Sequence, residues 1–375
     1  RRTVILALQT VLVCGSRYYL NGETSPDFIY NQNPAGFSAN RFTRVFSVNW
    51  VYCLYIRDAM YPRFLAPDWS GRSIDLIESP GDVRVIWVLL LWAFVAYCTW
   101  SIFMGPSDKR ATTNGVANAA EVRRTVLLSF WAFTMAPFLL SSNILVVVGL
   151  MKADRVIYLP LMGFCLLEAL LFKQVLFPKP GDHRKSSSLV LGRMIGYALF
   201  LLQIYLFCRK LHERNLAWSH PLNLWVSAYR VNSRSYHTKY NCGYELAQKE
   251  RYAEAELALR PIGSATVDGP TNTFVYAMVL YNLRRCDEAL PLIDEALDVI
   301  EQKKLDGGVR DDYKSLARVE SNLKVSKGFC SETIPEKGHW FYDAVQTDQT
   351  NEYAIQQATA LAKEIERIKQ IQGHL

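Results

Sequence analysis

The chain has 375 residues, half of them hydrophobic, and a formal net charge of +7, yet its mean hydropathy is only +0.02. Neutral hydropathy at that apolar content means parts of opposite character, which excludes one uniform soluble domain. Nor does the charge mark a nucleic-acid binder: no basic stripe or aromatic platform accompanies it, and the cations cluster at the ends of apolar runs, where membrane topology requires them.

Arg1-Arg2 opens the chain with neither an initiator methionine nor a signal-peptide pattern, and Thr3–Val13 reads as the tail of a span. The expectation is a piece of a longer protein, entered inside a membrane domain. Phe42–Ile56 is a weaker apolar stretch, diluted by Arg44, Asn49 and Arg57. A spanning helix needs about 20 apolar residues to cross a hydrocarbon layer about 30 Å thick. Val85–Met104 meets this without a charge. Thr125–Met151 is longer, but Pro137 and Ser141-Ser142-Asn143 interrupt it. Val156–Phe177 carries Glu168 and Lys173, and Leu189–Cys208 has Arg193 near one end, close enough to snorkel. The basic loops Ser107–Arg124 and Pro178–Arg193 then face the cytoplasm. The loop Pro62–Arg84, the turn Lys152–Arg155 and everything after the last span face the other side.

Beyond Lys210 the composition is that of a soluble protein. Small and apolar residues recur with a step of 34, from Ala255 to Ala289, which is the tetratricopeptide period. Each unit has a bend between its helices, at Lys249-Glu250-Arg251 and at Leu283-Arg284-Arg285. A third pair is expected at Asp312–Phe329 and Trp340–Val345, with an insertion around Pro335, and then a capping helix over Asn351–Ile371. A generic helical bundle is the competing description. Of eight cysteines, Cys14, Cys53, Cys98, Cys165 and Cys208 lie in or beside apolar runs and are expected as buried small hydrophobes. Cys242, Cys286 and Cys330 are an odd number in the soluble part and define no disulfide. No metal-ligand spacing and no cofactor motif is present.

Chemistry has few places to sit. Asn33-Pro34-Ala35 fits a turn. Asp68-Trp69-Ser70, with Asp75 and Glu78, puts carboxylates and an aromatic ring in an interfacial loop; Trp69 equally fits an aromatic belt, and Asp68 a helix cap. Asn143 falls inside an apolar run, where a polar group is costly unless it lines a cavity or bonds to another helix. A broken helix there would aim free backbone groups at a ligand. Glu168 poses the same question, with Lys173 as a candidate partner. In Lys152-Ala153-Asp154-Arg155 followed by Tyr158, helical spacing puts Asp154, Arg155 and Tyr158 on one flank. An arginine fork at a membrane edge suits a lipid phosphate; an Asp-Arg pair closing a span is the alternative.

Taken in order, Arg17, Gly22, Pro26, Phe28, Asn33-Pro34-Ala35, Thr43-Arg44, Asp68-Trp69-Ser70, Ser73-Ile74, Leu76-Ile77, Pro137, Ser142-Asn143 and Ala153-Asp154-Arg155-Val156-Ile157-Tyr158-Leu159-Pro160 with Met162–Cys165 resemble the transmembrane and tetratricopeptide-repeat (TMTC) proteins, O-mannosyltransferases of the endoplasmic reticulum. The resemblance runs from about Arg17 to Phe172. It implies an all-α fold: a multi-span GT-C-like membrane domain over 1–210, incomplete at its N-terminus, then a luminal tetratricopeptide-repeat solenoid over 221–375. It further implies dolichyl-phosphate mannose as donor substrate, with no cofactor, and Ser or Thr of cadherin-type and similar protein domains as acceptor. Arg155, Asp154 and Tyr158 would lie near the donor phosphate, with Asp68, Trp69 and Asn143 nearby. The catalytic acid of such enzymes sits in a first luminal loop, which would precede Arg1, so no catalytic base is assigned. Where the family pattern commonly has Glu, this chain has Asp154; where it has Asp-Asn-Pro, this chain has Gln32-Asn33-Pro34. An inactive membrane-anchored repeat scaffold stays open as the alternative.

Overall fold

The computed structural model describes residues 2–20, 28, 30, 32–103, 119–176, 186–260, 269–305 and 312–373, and their regular elements are all helical. The loops 107–124 and 178–193, which carry the orientation argument, fall largely outside the described residues.

The membrane half begins with α1 (Arg2–Leu20) and α2 (Arg41–Met60). Asn40 caps α2 by accepting from the backbone N–H groups of Phe42 and Thr43. α3 (Arg84–Phe103) follows a loop that includes a short 3₁₀ turn, Gly71–Ser73. Then come α4 (Ala119–Leu139), α5 (Leu161–Leu176) and α6 (Ser186–Trp218). Among the described residues two helices are long and apolar enough to cross a membrane, over Arg84–Ser101 and Leu191–Trp218. Their outward side chains, Trp87, Leu89 and Leu90 on α3 and Leu199, Leu201 and Leu202 on α6, are more than half exposed, as lipid-facing side chains are.

Two of the four expected full spans are shorter than the sequence implied. Pro137 sits in the last turn of α4, removes a backbone donor there, and the helix stops at Leu139. Ser142 Oγ then donates to the freed Leu139 carbonyl (2.7 Å). Residues 140–153 run on as an irregular strap rather than as a resumed helix, so Asn143 does not mark a broken span. The Val156–Phe177 stretch splits into a 3₁₀ turn, Asp154–Ile157, and the sixteen-residue α5. At 1.5 Å per residue the described part of α5 covers about 24 Å. α4 and α5 pack on each other. A Cβ at Gly163 would stand 2.1 Å from Thr134 Oγ1 and 2.7 Å from the Phe130 carbonyl oxygen, so the contact requires glycine. Glu168 accepts from Gln203 of α6, a helix–helix hydrogen bond.

α6 has 33 residues, about 50 Å of helix, which is more than the membrane needs. Counting twenty residues from Leu191 ends the apolar stretch at Lys210. Arg209 and Lys210 close that stretch, and the excess carries Glu213 and Arg214 beyond it and leads into α7 (Pro221–Val231).

The second half is a succession of paired helices: α8 (Tyr236–Gln248) with α9 (Tyr252–Leu259), α10 (Pro270–Asn282) with α11 (Cys286–Leu305), α12 (Asp312–Phe329) with α13 (Ile334–Thr347), then α14 (Glu352–Gly373). The first two pairs repeat feature by feature after 34 residues. α8 and α10 start at 236 and 270, α9 and α11 at 252 and 286. The bends hold Glu250 and Arg284 at φ 58° and 62°. Arg251 pairs with Glu254 as Arg285 pairs with Glu288, and Arg285 also reaches back to Glu256. Ala255 and Ala289, both fully buried, let the helices approach, and one continuous core runs from Cys242 to Leu323. The third pair differs from its expectation: Pro335 opens α13 at its first turn, so it belongs to a helix start and not to an insertion. α14 buries Ala354 and Leu361, with Ala358 and Ile365 packed beside them.

The cysteines divide differently from their expectation. Cys286, at the start of α11, and Cys330, just after α12, form a disulfide with Cα atoms 5.4 Å apart. Cys98 and Cys242 are buried, but Cys14, Cys165 and Cys208 lie on exposed helix surfaces.

Candidate functional site

Three of the motifs that carry the resemblance, Asn33-Pro34-Ala35, Asp68-Trp69-Ser70 and Ala153-Asp154-Arg155, meet around one junction of the α2–α3 loop, the strap and the repeat half. The loop and strap form an isolated antiparallel bridge, in which Trp69 N–H donates to the Lys152 carbonyl (2.9 Å). One turn further, Asp154 N–H donates to the Ala66 carbonyl, and Asp154 Oδ1 accepts from Ala66 N–H (2.9 Å). Ala153 N–H donates to the Tyr55 hydroxyl (2.9 Å). These bonds fix the strap against α2 and the loop.

Beneath the bridge lies a buried ion pair that the sequence did not disclose. Lys152 Nζ is 2.5 Å from Asp58 Oδ2, with side chains 1% and 3% exposed. Arg57 holds the other oxygen of Asp58 (2.7 Å). The Lys152 ammonium also sits over the Trp69 ring, 4.5 Å from its centroid. Burial pulls the Lys152 ammonium below its usual range, and Asp58 opposes that fall. Trp69 therefore covers a buried cation and is not an aromatic belt residue.

The repeat half is clamped onto this junction. Arg214, on the extension of α6, donates to Asp154 Oδ2 (2.9 Å). Burial pushes the Asp154 carboxyl upward, and Arg214 and then Lys152 pull it back. Asn232 donates to Ser73 Oγ (3.0 Å) and to the Asp68 carbonyl (3.4 Å). Ser70 Oγ and Ser235 Oγ are 3.0 Å apart, both fully buried, and Ser235 also caps α8. His237 Nδ1 lies 3.6 Å from Asp68 Oδ2. Arg234 grips Asp75 with both nitrogens (2.5 and 3.1 Å), and its hydrogen bond holds the Asp75 carboxyl below the usual carboxylate value. The loop, the turn and the repeats, which the charge pattern assigns to one side of the membrane, thus touch one another.

The structure separates residues that helical spacing grouped. The 154–157 turn is 3₁₀, in which i and i+3 eclipse, so Arg155 and Tyr158 share an exposed side and Asp154 leaves it. Asp154 turns inward to Ala66 and Arg214, whereas Tyr158 is 77% exposed. Arg155 is exposed and donates to the Pro67 carbonyl (3.0 Å); among the described residues no carboxylate pairs with it. Asn143, at φ 61°, accepts on Oδ1 from Asn33 Nδ2 (2.8 Å) and from Val148 N–H (3.0 Å). Asn33 is fully buried and also donates to the Val148 carbonyl. The Asn33-Pro34-Ala35 stretch therefore pins the strap and is more than a turn. A Cβ at Gly149 would stand 2.2 Å from the Phe28 ring, the other point where this segment meets the strap. Asp68 and Trp69 are buried and half-buried, and among the described residues Asp68 Oδ1 and Trp69 Nε1 have no hydrogen-bond partner. Sequence reasoning passed over Asp58, Arg214, Asn232 and Ser235. The one available signal was a lone lysine in a tight turn between apolar stretches, which needs an anion.

Comparison with known proteins meets the structure at this junction. The family model described as "Protein O-mannosyl-transferase TMTC, DUF1736" matches residues 22–96, which include α2, the Asp68-Trp69-Ser70 loop and most of α3. Protein O-mannosyl-transferase Tmtc3 of Drosophila melanogaster is 27% identical over 304 residues, 81% of this chain and 30% of that protein. Human protein O-mannosyl-transferase TMTC4 is 28% identical over 62% of the chain and 28% of its own length, and human TMTC3 is 26% identical over 77% and 29%. The chain thus spans less than a third of these curated relatives. No solved structure matches. The family match falls on the segment that builds the junction, and the relatives continue that likeness over most of the chain, so the chain is similar to the TMTC proteins in both of its halves.

Proposed function

We propose that the chain is part of a protein O-mannosyltransferase that moves mannose from dolichyl-phosphate mannose to Ser or Thr hydroxyls of luminal or extracellular-type domains, cadherin-type domains among them. It acts in the endoplasmic-reticulum membrane, with a multi-pass domain over 1–210 and a luminal tetratricopeptide-repeat solenoid over 221–375. The printed names of the relatives support the reaction class. The Cys286–Cys330 disulfide suits an oxidising lumen. The 34-residue step in helix starts, bends and ion pairs supports the solenoid.

The observation that carries the reading is Arg155. Its guanidinium is exposed on the strap–loop junction, donates to the Pro67 carbonyl, and among the described residues pairs with no carboxylate. In the reaction the acceptor hydroxyl oxygen bonds to the sugar C1 as the C1–O bond to phosphate breaks with inversion. Dolichyl phosphate leaves with the electron pair, and the hydroxyl proton passes to a base not assigned among these residues. Charge grows on the leaving phosphate, and an arginine fork holds two of its oxygens. Tyr158, also exposed, lies three residues on and is available to the same headgroup. Asp154, Asp68, Trp69 and Asn143 hold the strap and loop that carry Arg155.

Arg155→Ala and Arg155→Lys, made in the protein as expressed in microsomes with donor and acceptor supplied, test this. A charge-assisted hydrogen bond is worth about 1.5–3 kcal/mol, so transfer should fall roughly ten- to hundredfold for Ala. Lys keeps the charge without the fork and should fall between. Full activity in a correctly inserted Arg155→Ala protein removes Arg155 from the donor site; no transfer by the unaltered protein favours the scaffold reading.

A further inference from the structure

A cleft of about 360 Å³ opens between the end of α2 and the outer part of α6. Its rim holds Arg63 from the loop and Arg209 and Lys210 from α6. One carboxylate, Glu213, stands among them, 3.3 Å from Arg209 Nε and 3.2 Å from Lys210 Nζ. Three cations against one anion leave an excess of two positive charges. Arg63 lies far from the other two in sequence, so the fold, and not a local charge run, brings them to one opening.

Below the rim the wall is apolar. Leu199, Leu202 and Leu206 line it and are 57%, 51% and 44% exposed. From Leu199 to Arg209 a helix rises about 15 Å at 1.5 Å per residue. That is one leaflet of a hydrocarbon layer about 30 Å thick. An apolar wall one leaflet deep under a cationic rim matches a single membrane lipid with an anionic headgroup. It lies on the side of α6 that reaches Asp154 through Arg214, so a lipid there would brace the helix that carries the clamp.

We propose that this cleft holds a resident anionic glycerophospholipid, its phosphate under Arg63, Arg209 and Lys210 and an acyl chain along α6. The site is separate from the donor reading of Arg155 and stands whether or not that reading holds.

Phosphatidylserine is the probe. The chain is reconstituted in nanodiscs of phosphatidylcholine with a minor fraction of phosphatidylserine, then released and weighed by native mass spectrometry. One retained phosphatidylserine per chain is expected, in preference to phosphatidylcholine. Arg63→Gln, Arg209→Gln and Lys210→Gln together should lower its retention about tenfold or more, while Lys303→Gln with Lys369→Gln, on the repeats, should leave it unchanged. Leu202→Trp fills the cleft without altering the rim charge and should displace the lipid as well, which covers the case of a triple variant that does not fold. Equal retention of both phospholipids, or retention unchanged in Leu202→Trp, overturns the proposal. So does displacement of phosphatidylserine by an equimolar polyprenyl phosphate, which would give the cleft to the donor.

Discussion

Breaking the Lys152–Asp58 pair from either side should have unequal effects. Removing one partner of a buried pair typically costs about 3–5 kcal/mol, because the other charge is left in low dielectric. Lys152→Met leaves Asp58 with Arg57 still 2.7 Å away, so part of its compensation survives. Asp58→Leu leaves an ammonium 1% exposed, with the Trp69 and Tyr55 rings against it and Asp154 as the remaining carboxylate that acts on it. That lysine can escape by losing its proton. Deprotonating a group of ordinary pKa about 10.4 at pH 7 costs about 4.6 kcal/mol, which caps the penalty, and the cap falls to about 1.9 kcal/mol at pH 9. The sign follows from linkage: a lysine held neutral in the folded state binds fewer protons than the unfolded chain, so stability rises with pH up to the ordinary lysine range. The double variant Asp58→Leu/Lys152→Met removes both charges and should recover most of the loss. Thermal unfolding of the detergent-solubilised protein, followed by tryptophan fluorescence at pH 7 and pH 9, checks this. The expected order of melting temperature at pH 7 is unaltered, double variant, Lys152→Met, then Asp58→Leu, with the last gap narrowing at pH 9. If Asp58→Leu melts no lower than Lys152→Met and its deficit is the same at both pH values, Lys152 is solvated and the buried-pair argument fails.

Other perturbations follow from the same structure. Gly163→Ala puts a methyl group into the α4–α5 contact, 2.7 Å from a backbone oxygen, and should lower the melting temperature by an overpacking cost of about 1–3 kcal/mol; an unchanged melt means the helices are further apart. Ala289→Trp should do the same to the fully buried α10–α11 contact, read as lost far-UV signal on heating at lower temperature than the unaltered chain. The chain has no Asn-X-Ser/Thr sequon, so Gly307→Asn with Val309→Thr should be glycosylated in microsomes and Val116→Thr, which completes a sequon at Asn114, should not; the reverse pattern inverts the orientation.

The 34-residue step of the first two helix pairs was legible because its restraint is local. A bend that needs positive φ at Glu250 and Arg284, and small residues where helices cross, leave marks at a fixed spacing. Apolar length showed α3 and α6 for the same reason. It failed for the stretch after Pro137, since composition counts apolar residues and does not say whether backbone N–H groups find helical partners. Ile144, Leu145 and Val146 look like span residues but lie on an irregular strap, more than 60% exposed. Adding Asp154 to the flank of Arg155 and Tyr158 failed because it assumed α-helical spacing in a 3₁₀ turn, where i and i+3 eclipse and i+4 does not. Asp58–Lys152, Asp154–Arg214 and Ser70–Ser235 join residues about 60 to 165 positions apart, and no periodicity carries such pairs.

These long-range contacts change what the Asp68-Trp69-Ser70 motif is for. A ligand loop leaves its polar side chains facing outward. Here Ser70 bonds to Ser235, the Asp68 carbonyl accepts from Asn232, and Trp69 roofs a buried ammonium. The motif is thus the seat on which α7 and α8 rest, with Arg234–Asp75 and Arg214–Asp154 closing its two edges. Each bond alone is modest, about 0.5–1.5 kcal/mol for a neutral pair. Together they fix the first repeat helices to the strap from which Arg155 projects. A repeat domain joined by a free linker would deliver a bound protein over a wide range of positions. One seated on the strap holds a single orientation to it, so the polar cost of burying the seat is offset by fixed geometry between the helix pairs and the strap.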